Sequence, residues 1–319
     1  MPPFLLYVLP LVSAAVPTVI LGNSRGTAVP GLEMPAIGLG TGAYSNNAAV
    51  GYGGYPECWS TSAGCGGFAR QAVGAWLSAG GRRIDAANSY QDMADVGAAL
   101  AASGVPRSEL FILQKVGPSF PLGYADSLKQ FEDIKAAMNV SYVDALLVHW
   151  PWPSASKGNV TNNATQSSDP LCNTTALATY DEVGCRLSTW RAMLEIYRAG
   201  GARSIGVSNY NVSHFEEIAA AGLPLPALTQ SPFHIYLSGA QMDVTSYCWR
   251  NGITFLGYSP FGVPDYKVFV QRPPLRSAAP DAPPARPPRA PPPPPRLPPF
   301  RAATQLPRSP PQASSRTPW

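Results

Sequence analysis

This chain of 319 residues lacks the sequence patterns of a dinucleotide-binding fingerprint, a zinc site and a membrane span. Gly38, Gly40 and Gly42 lie close together, but the strand, helix and acidic residue that complete a dinucleotide-binding fingerprint are absent around them. The five cysteines are not spaced as zinc ligands, and no histidine lies near them in the sequence. The apolar run Phe4–Val16 is too short for an ordinary membrane span. We therefore expect no metal site and no stable membrane span.

Lysine is absent from residues 272–319, and acidic residues nearly so. This segment holds 18 of the 36 prolines, eight arginines and a single acid, Asp281. Its charge is therefore +7, which leaves about −3 for the rest of a chain whose net charge is +4. The pI of 8.8 reflects this tail, so the body is not predicted to bind nucleic acid. Proline-rich low complexity cannot bury enough apolar surface to fold, so we predict a disordered tail.

Residues 1–17 are a second compositional outlier. The run Phe4–Val16 with small residues at Ser13, Ala14 and Ala15 is typical of a signal peptide cleaved near Ala15, although no Lys or Arg precedes it. The alternative is an apolar first strand of the fold. Of the two, we expect a signal peptide.

Cysteines and sequons favour the same compartment. Cys58 and Cys65 bracket one predicted insertion (44–67), Cys172 and Cys185 bracket another (152–186), and Cys248 is left over. Paired cysteines in loop insertions suggest disulfide bonds in an oxidising compartment. Asn-x-Ser/Thr sequons begin at Asn139, Asn159, Asn163, Asn173 and Asn211. We predict a glycoprotein of the secretory lumen or the extracellular space, with the cytoplasm as the alternative.

Short apolar runs alternate with helical patterns through residues 18–271. A hairpin from Thr18 is followed by predicted strands at Ile37–Thr41, Arg83–Ala87, Leu110–Val116, Val143–Trp150, Ser204–Ser208, Leu228–Ser231 and Thr254–Tyr258. This α/β alternation is typical of a TIM-type (β/α)8 barrel. Seven strands are recognisable before the tail, and the eighth β/α unit is not, so the barrel is expected to be incomplete.

Polar residues follow three of these strands. Asp85 and Lys115 come at strand ends, His149 follows another, and Tyr90 lies in the loop after the Asp85 strand. The carboxyl ends of barrel strands share one mouth, where catalytic side chains meet. The four residues are therefore expected to form one proton-donating group.

At these residues the sequence resembles the aldo-keto reductase family. The matching stretches occur in family order over about residues 18–262: Met34–Gly42, Arg83–Ala87 with Tyr90, Asp144–Pro151, Gly206–Tyr210, Gln230 and Gly257–Pro260. The resemblance implies reduction of an aldehyde or ketone to an alcohol by NADPH (NADP+ in reverse). Such a protein acts on a small-molecule carbonyl substrate, and we expect it to be a monomer.

The resemblance also assigns roles to the four polar residues. Tyr90 would donate the proton, which a phenol of pKa near 10 does poorly unless a neighbour such as the Lys115 ammonium stabilises its anion. Asp85 would hold Lys115 charged, and His149 would orient the carbonyl and could share proton delivery. For a lone residue of this kind an ion pair or a core position would be the better interpretation.

Cofactor contacts are implied at later strand ends. Ser208, Asn209 and Gln230 would bind the nicotinamide carboxamide, and the Tyr258 ring would stack on the nicotinamide. The next residue, Ser259, is also expected to bind the cofactor. A helix N-cap is an alternative or additional role for Ser208 and Asn209. Trp150 would line the substrate mouth. Phe233 has two interpretations, the substrate mouth and core packing, of which we favour core packing. We predict a solvated surface position for His214, and we expect His234, which follows the sixth strand, to approach the cofactor cleft.

Two other functions remain open from the sequence. One is a catalytically inactive, cofactor-binding barrel, and the other is a truncated product without function. The segment that normally carries the basic residues for the cofactor's 2′-phosphate is not recognised here, which supports the second. The intact set of four polar residues argues against the first.

Overall fold

The computed structural model describes residues 16–22, 26–44, 66–117, 120–152, 166–176, 178–235 and 239–260. Several predictions lie outside the described residues. These are most of the leader, the pair Cys58 and Cys65, the sequons at Asn159 and Asn163, and the proline-rich tail.

A hairpin precedes the main sheet, as predicted. Strands β1 (Thr18–Ile20) and β2 (Glu33–Pro35) are antiparallel, with Val19 opposite Met34. Met34 is buried, whereas Val19 is 41% exposed. Strand β1 is exposed at all three residues, so β2 provides the buried contact of the hairpin.

The central sheet contains seven parallel strands in chain order, so the predicted parallel α/β architecture of the barrel type is confirmed. Each strand pairs with the next along the chain. The strands are β3 (Leu39–Gly40), β4 (Arg83–Asp85), β5 (Phe111–Val116), β6 (Ala145–Val148), β7 (Ile205–Ser208), β8 (Leu228–Pro232) and β9 (Thr254–Tyr258).

Strand β3 is shorter than the predicted Ile37–Thr41. Ile37 is 62% exposed rather than paired in the sheet. At Gly38 the chain passes against the Arg83 side chain, since a Cβ there would lie 2.2 Å from Arg83 Nε. Close packing on Arg83 therefore delays the start of strand pairing until Leu39.

In the part of the chain that the structure describes, six helices connect the strands. They are α1 (Gly66–Ser78), α2 (Met93–Ala102), α3 (Tyr124–Met138), α4 (Glu182–Arg198), α5 (Val212–Ala220) and α6 (Gly239–Asn251). Within the described part of the chain, none of these helices is long and apolar enough to cross a membrane.

Alternate residues of the strands face two separate cores. Ile112 and Leu146 belong to the larger core between the sheet and the helices. Leu113 and Leu147, one residue further along each strand, belong to the smaller core that also contains Met34 of the hairpin. Because strand side chains alternate between faces, the sheet has a helix-covered outer face and an inner face plugged by the hairpin.

Candidate active site

The alternation of the strands decides which polar side chains face inward at the carboxyl ends. Leu113 and Leu147 face the inner core, so Lys115 and His149, two residues further on, lie on the same side. Leu228 and Leu256 place Gln230 and Tyr258 there by the same rule. The predicted site residues thus share one face and one end of the sheet.

A buried ion pair lies at the centre of this group. The Lys115 ammonium, 2% exposed, forms an ion pair with Asp85 Oδ1 and donates to the Ala86 carbonyl at 3.2 Å. Gln230 Nε2 donates to the other Asp85 oxygen. Because a buried ammonium is tolerated only when it is paired, Asp85 keeps Lys115 charged and fixed. Gln230, expected to serve the cofactor, also positions Asp85 in this structure.

Tyr90 lies over this pair. It ends a 3₁₀ turn, Asn88–Tyr90, and Gln91 then adopts a left-handed conformation (φ 57°) that turns the chain toward α2. Lys115 Nζ is 5.5 Å from the centroid of the phenol ring. A Cβ at Gly42 would lie 3.1 Å from Tyr90 Cζ and 3.3 Å from its hydroxyl oxygen. The absence of a side chain at Gly42 therefore leaves room for the phenol.

His149 meets Tyr90 edge to face, with ring centroids 5.6 Å apart. Its Nδ1 lies 3.2 Å from the hydroxyl oxygen of Ser89, which is fully buried. Burial lowers the pKa of His149 well below its usual value, and the nearby Lys115 charge lowers it further. The imidazole is therefore neutral at physiological pH.

The residues at the ends of β7, β8 and β9 form one hydrogen-bonded chain. Asn209, at positive φ (63°), donates from Nδ2 to the His149 carbonyl at 2.9 Å and to Ser208 Oγ at 3.0 Å. Its Oδ1 accepts from the Tyr258 hydroxyl at 2.8 Å. Its backbone N–H donates to the Gln230 carbonyl at 2.8 Å. Through Asn209 and Gln230, the ends of β7, β8 and β9 are thus linked to His149 and to the Lys115–Asp85 pair.

Aromatic rings extend from this network. Trp150 stacks on His149 with centroids 6.5 Å apart, and Trp152 lies 5.6 Å from Trp150. Phe233 does not pack in the core as predicted. It is 45% exposed and meets Phe255 edge-on at 5.5 Å, which keeps it available to the mouth of the site.

The prediction of a solvated His214 was wrong. His214 is 9% exposed, and its Nδ1 accepts from the Asn211 backbone N–H at 3.2 Å while Asn211 Oδ1 accepts from the His214 N–H at 3.1 Å. These reciprocal bonds form a capping box at the start of α5. Neighbouring Glu216 and Glu217 suggested a polar surface, but the ring turns inward against Tyr210.

Two polar residues near the site were not singled out from sequence. Ser89 contacts His149, as described above, and Asp92, two residues after Tyr90, is fully buried. Their closeness to Tyr90 in the chain is the only sequence signal that they carry. Among the described residues, no group of three or more His, Cys, Asp or Glu side chains is placed to hold a metal ion.

Residues 58–273 match the model of the aldo/keto reductase family. An aldo-keto reductase of Mycolicibacterium vanbaalenii is 32% identical over 251 residues, covering 79% of this chain and 69% of the relative. A glyoxal reductase of Bacillus subtilis is 30% identical over 230 residues, covering 72% of this chain and 64% of the relative. The chain thus spans about two thirds of the length of these proteins.

Solved structures give the same result. An aldo/keto reductase of Brucella melitensis superimposes with a TM-score of 0.56 at 27% identity, covering 78% of this chain and 74% of that one. A Bombyx mori aldo-keto reductase in complex with NADP gives a TM-score of 0.58 at 25% identity, covering 79% and 68%. With its parallel sheet, its strand-end network and these matches, the chain belongs to the aldo/keto reductase family.

Proposed function

We propose that this protein reduces an aldehyde or small ketone to an alcohol with NADPH as reductant. The observation that carries the proposal is the buried Lys115–Asp85 pair beneath the ring of Tyr90, beside a neutral His149. Family membership supports it, and so does the NADP bound in the Bombyx mori relative. The reaction needs a hydride for the carbonyl carbon and a proton for its oxygen.

Tyr90 is the proposed proton donor. A phenol gives up its proton readily only where the phenolate is stabilised, and the Lys115 ammonium provides a positive charge 5.5 Å from the ring centroid. Asp85 holds that charge in place and is itself held by Gln230. The proton passes from the Tyr90 hydroxyl to the carbonyl oxygen as negative charge develops there.

His149 is proposed to orient the substrate. Because its imidazole is neutral and buried, it adds no second positive charge beside Lys115. A neutral ring nitrogen can hydrogen-bond to the carbonyl oxygen and direct it toward Tyr90. Trp150, stacked on His149, is proposed to border the substrate mouth.

The residues at the ends of β7, β8 and β9 fit the nicotinamide end of the cofactor. When bound, NADPH supplies the hydride. Ser208, Asn209 and Gln230 offer the hydroxyl and amide groups that complement a carboxamide, and Tyr258 offers a half-buried ring. Ser259, at positive φ (49°), bends the chain directly after Tyr258. In this role the Asn209 amide exchanges internal hydrogen bonds for bonds to the cofactor, while Gln230 Nε2 keeps its bond to Asp85.

The test is NADPH oxidation with a panel of aldehydes, followed at 340 nm. We expect Tyr90→Phe to lower kcat by at least about 100-fold, the usual contribution of a positioned acid, while NADPH affinity changes by no more than a few-fold. Tyr124→Phe removes the same hydroxyl from an exposed tyrosine of α3 and should retain full activity. Unchanged turnover in Tyr90→Phe would refute the assignment.

Lys115→Met tests whether proton donation by Tyr90 depends on the positive charge of Lys115. Without the ammonium the phenolate loses its stabilisation, so kcat should fall strongly even though Tyr90 is present. Cofactor binding is measured separately, by quenching of tryptophan fluorescence and by the upward shift of the melting temperature with NADPH. A variant that binds NADPH but does not turn over separates a catalytic defect from a folding defect.

A further inference from the structure

A second buried carboxyl lies beside the proposed proton donor, outside the Lys115–Asp85 pair. Asp92 is fully buried and occupies the N-cap position of α2, yet its side chain makes no capping hydrogen bond. Neither carboxyl oxygen makes a well-aligned hydrogen bond among the described residues. Burying an ionised carboxylate without a partner costs free energy of folding, so the protonated form of Asp92 is favoured.

The surroundings of Asp92 connect it to the site. The buried hydroxyl of Thr41 faces it closely enough to favour the ionised carboxylate, although it makes no well-aligned hydrogen bond in the described structure. The Thr41 backbone N–H donates to the Asp85 carbonyl at 2.9 Å, and a Cβ on the next residue, Gly42, would lie 3.1 Å from Cζ of the Tyr90 phenol. Thr41 therefore bridges Asp92 to the strand end that carries the ion pair.

Two charged groups act on the Asp92 carboxyl. Burial is the main cause that raises its pKa to about 7, and Asp95 of the same helix acts in the same direction, whereas the Thr41 hydroxyl, the Asp92 backbone N–H and, least of all, the Lys115 charge act to lower it. The carboxyl is therefore neutral in mild acid and negative in mild alkali. Its ionisation changes the charge around Lys115 within the range in which the enzyme would operate.

We propose that Asp92 is a positioning residue of the proton-donating site, which acts on Tyr90 through Lys115. Asp85 already provides one negative charge to the Lys115 ammonium. When Asp92 is ionised, a second negative charge competes with the Tyr90 phenolate for the same ammonium, and the phenol becomes a weaker acid. When Asp92 is protonated, the ammonium stabilises the phenolate more strongly. The catalytic consequence rests on the proposed function, but the electrostatic coupling does not.

The coupling is measured first without cofactor or substrate. Alkaline titration of tyrosine absorbance, with Tyr90→Phe to identify the Tyr90 contribution, gives the ionisation constant of the phenol. We expect Asp92→Asn, which removes the charge at constant size, to raise that constant about three- to ten-fold. Asp95→Asn, a half-buried carboxyl on the same helix, should change it by less than about two-fold. Identical Tyr90 titrations in the wild type and Asp92→Asn would overturn the proposal.

The pH profile of carbonyl reduction tests the consequence. For the wild type, kcat should fall about three- to ten-fold as pH rises through the Asp92 ionisation, and Asp92→Asn should lack this step. Thr41→Val removes a hydroxyl that favours the ionised carboxylate, so it should move the step to higher pH. This variant and carboxyl ¹³C NMR of the wild type also decide the matter if Asp92→Asn does not fold. A step unmoved in every variant contradicts the proposal. Absence of reduction with any aldehyde would refute the proposed function, and the phenol titration would still decide the role of Asp92.

Discussion

At the scale of single residues, Asp144 shows how this fold accommodates a paired buried carboxylate. It is fully buried, and its oxygens contact Arg107 Nη2 at 2.7 Å and Arg203 Nη1 at 2.9 Å. One oxygen also accepts the Ile112 backbone N–H at 2.9 Å. The carboxylate thus joins β5, β6 and the loop before β7, and every partner depends on its charge.

Asp144→Ala should therefore be strongly destabilising. It leaves two guanidinium groups and a buried backbone N–H without their acceptor, and breaking a buried pair in this way typically costs about 3–5 kcal/mol. Urea unfolding would measure the loss. Asp133→Ala is the matched control, because Asp133 pairs with Lys129 on the exposed surface of α3 and should change stability little. Equal effects of the two substitutions would contradict this account.

Asp92, a buried carboxyl without the ion pairs of Asp144, should make the stability of the folded protein fall as pH rises. Its folded-state pKa of about 7 lies above the ordinary aspartate value of 3.8, so the folded protein holds this proton in a range where the unfolded chain has lost it. Stability from this group is complete below the unfolded pKa and is lost as pH rises to about 7. Asp92→Asn should remove that dependence, so its melting temperature relative to the wild type should rise from pH 4 to pH 8. A constant difference across this range would argue against a perturbed carboxyl.

The sequence was a good guide to the four central residues and a poor one to their neighbours. Asp85, Lys115 and His149 follow apolar runs, so their position at strand ends is readable from the pattern. Asp92 is not readable, because an Asp before a helix is ordinarily a solvated cap. Its burial depends on the packing of Thr41 and α2, which only the folded chain defines.

At the scale of elements, the strands were predicted more accurately than the helix starts. Buried parallel strands are apolar runs, which local sequence reveals. The spacing of apolar residues predicts a helix from Leu128 to Met138, whereas helix α3 begins at Tyr124. Asp126 in its first turn accepts from the backbone N–H and the hydroxyl of Ser168. Contacts with Ser168, distant in the sequence, therefore determine where α3 begins. The spacing of apolar residues does not reveal such contacts.

The sequence pattern predicts the next helix from Arg186 to Ala199, whereas helix α4 begins at Glu182. Asp181 caps it by accepting from the Val183 N–H at 3.1 Å, and Cys185 in its first turn is bonded to Cys172. The predicted disulfide between these two cysteines is therefore present, and it ties the segment before α4 to the helix.

Removing this disulfide should destabilise the fold. The bonded cysteines are 13 residues apart, and closing a loop of this size typically contributes about 3 kcal/mol. We expect the double variant Cys172→Ala/Cys185→Ala to melt at a lower temperature than the wild type, and a reductant to lower the wild-type melting temperature only. A reductant that acts equally on both proteins would show that another bond is responsible.

The secretory location remains our proposal, and intact-mass analysis after expression in a secreting eukaryotic host would test it through glycan on Asn173.

At the scale of the whole molecule, the hairpin joins strands that are distant in sequence. Leu21 and Met34 pack in the inner core with Leu113, Leu147 and Leu256 of the sheet. Hydrogen bonds reinforce the contact, from the Gly22 N–H to Thr254 Oγ1 at 3.1 Å, from Thr27 Oγ1 to the Leu225 carbonyl at 2.9 Å, and from the Ile205 N–H to the Thr27 carbonyl at 2.9 Å. The N-terminal segment therefore holds together the strands that carry Lys115, His149 and Tyr258.

Met34→Ala should accordingly weaken the entire fold rather than the hairpin alone. Met34 is 2% exposed, and truncating a buried methionine to alanine typically costs about 2–5 kcal/mol. Val19→Ala changes the exposed face of the same hairpin and should have little effect. Urea unfolding followed by circular dichroism and by tryptophan fluorescence should give coincident transitions, both displaced in Met34→Ala. Because the strand ends remain intact in the folded molecules, saturating NADPH should raise the melting temperature of the variant as it does that of the wild type. An early transition confined to one probe would instead mean that the hairpin unfolds separately and leaves the site in place.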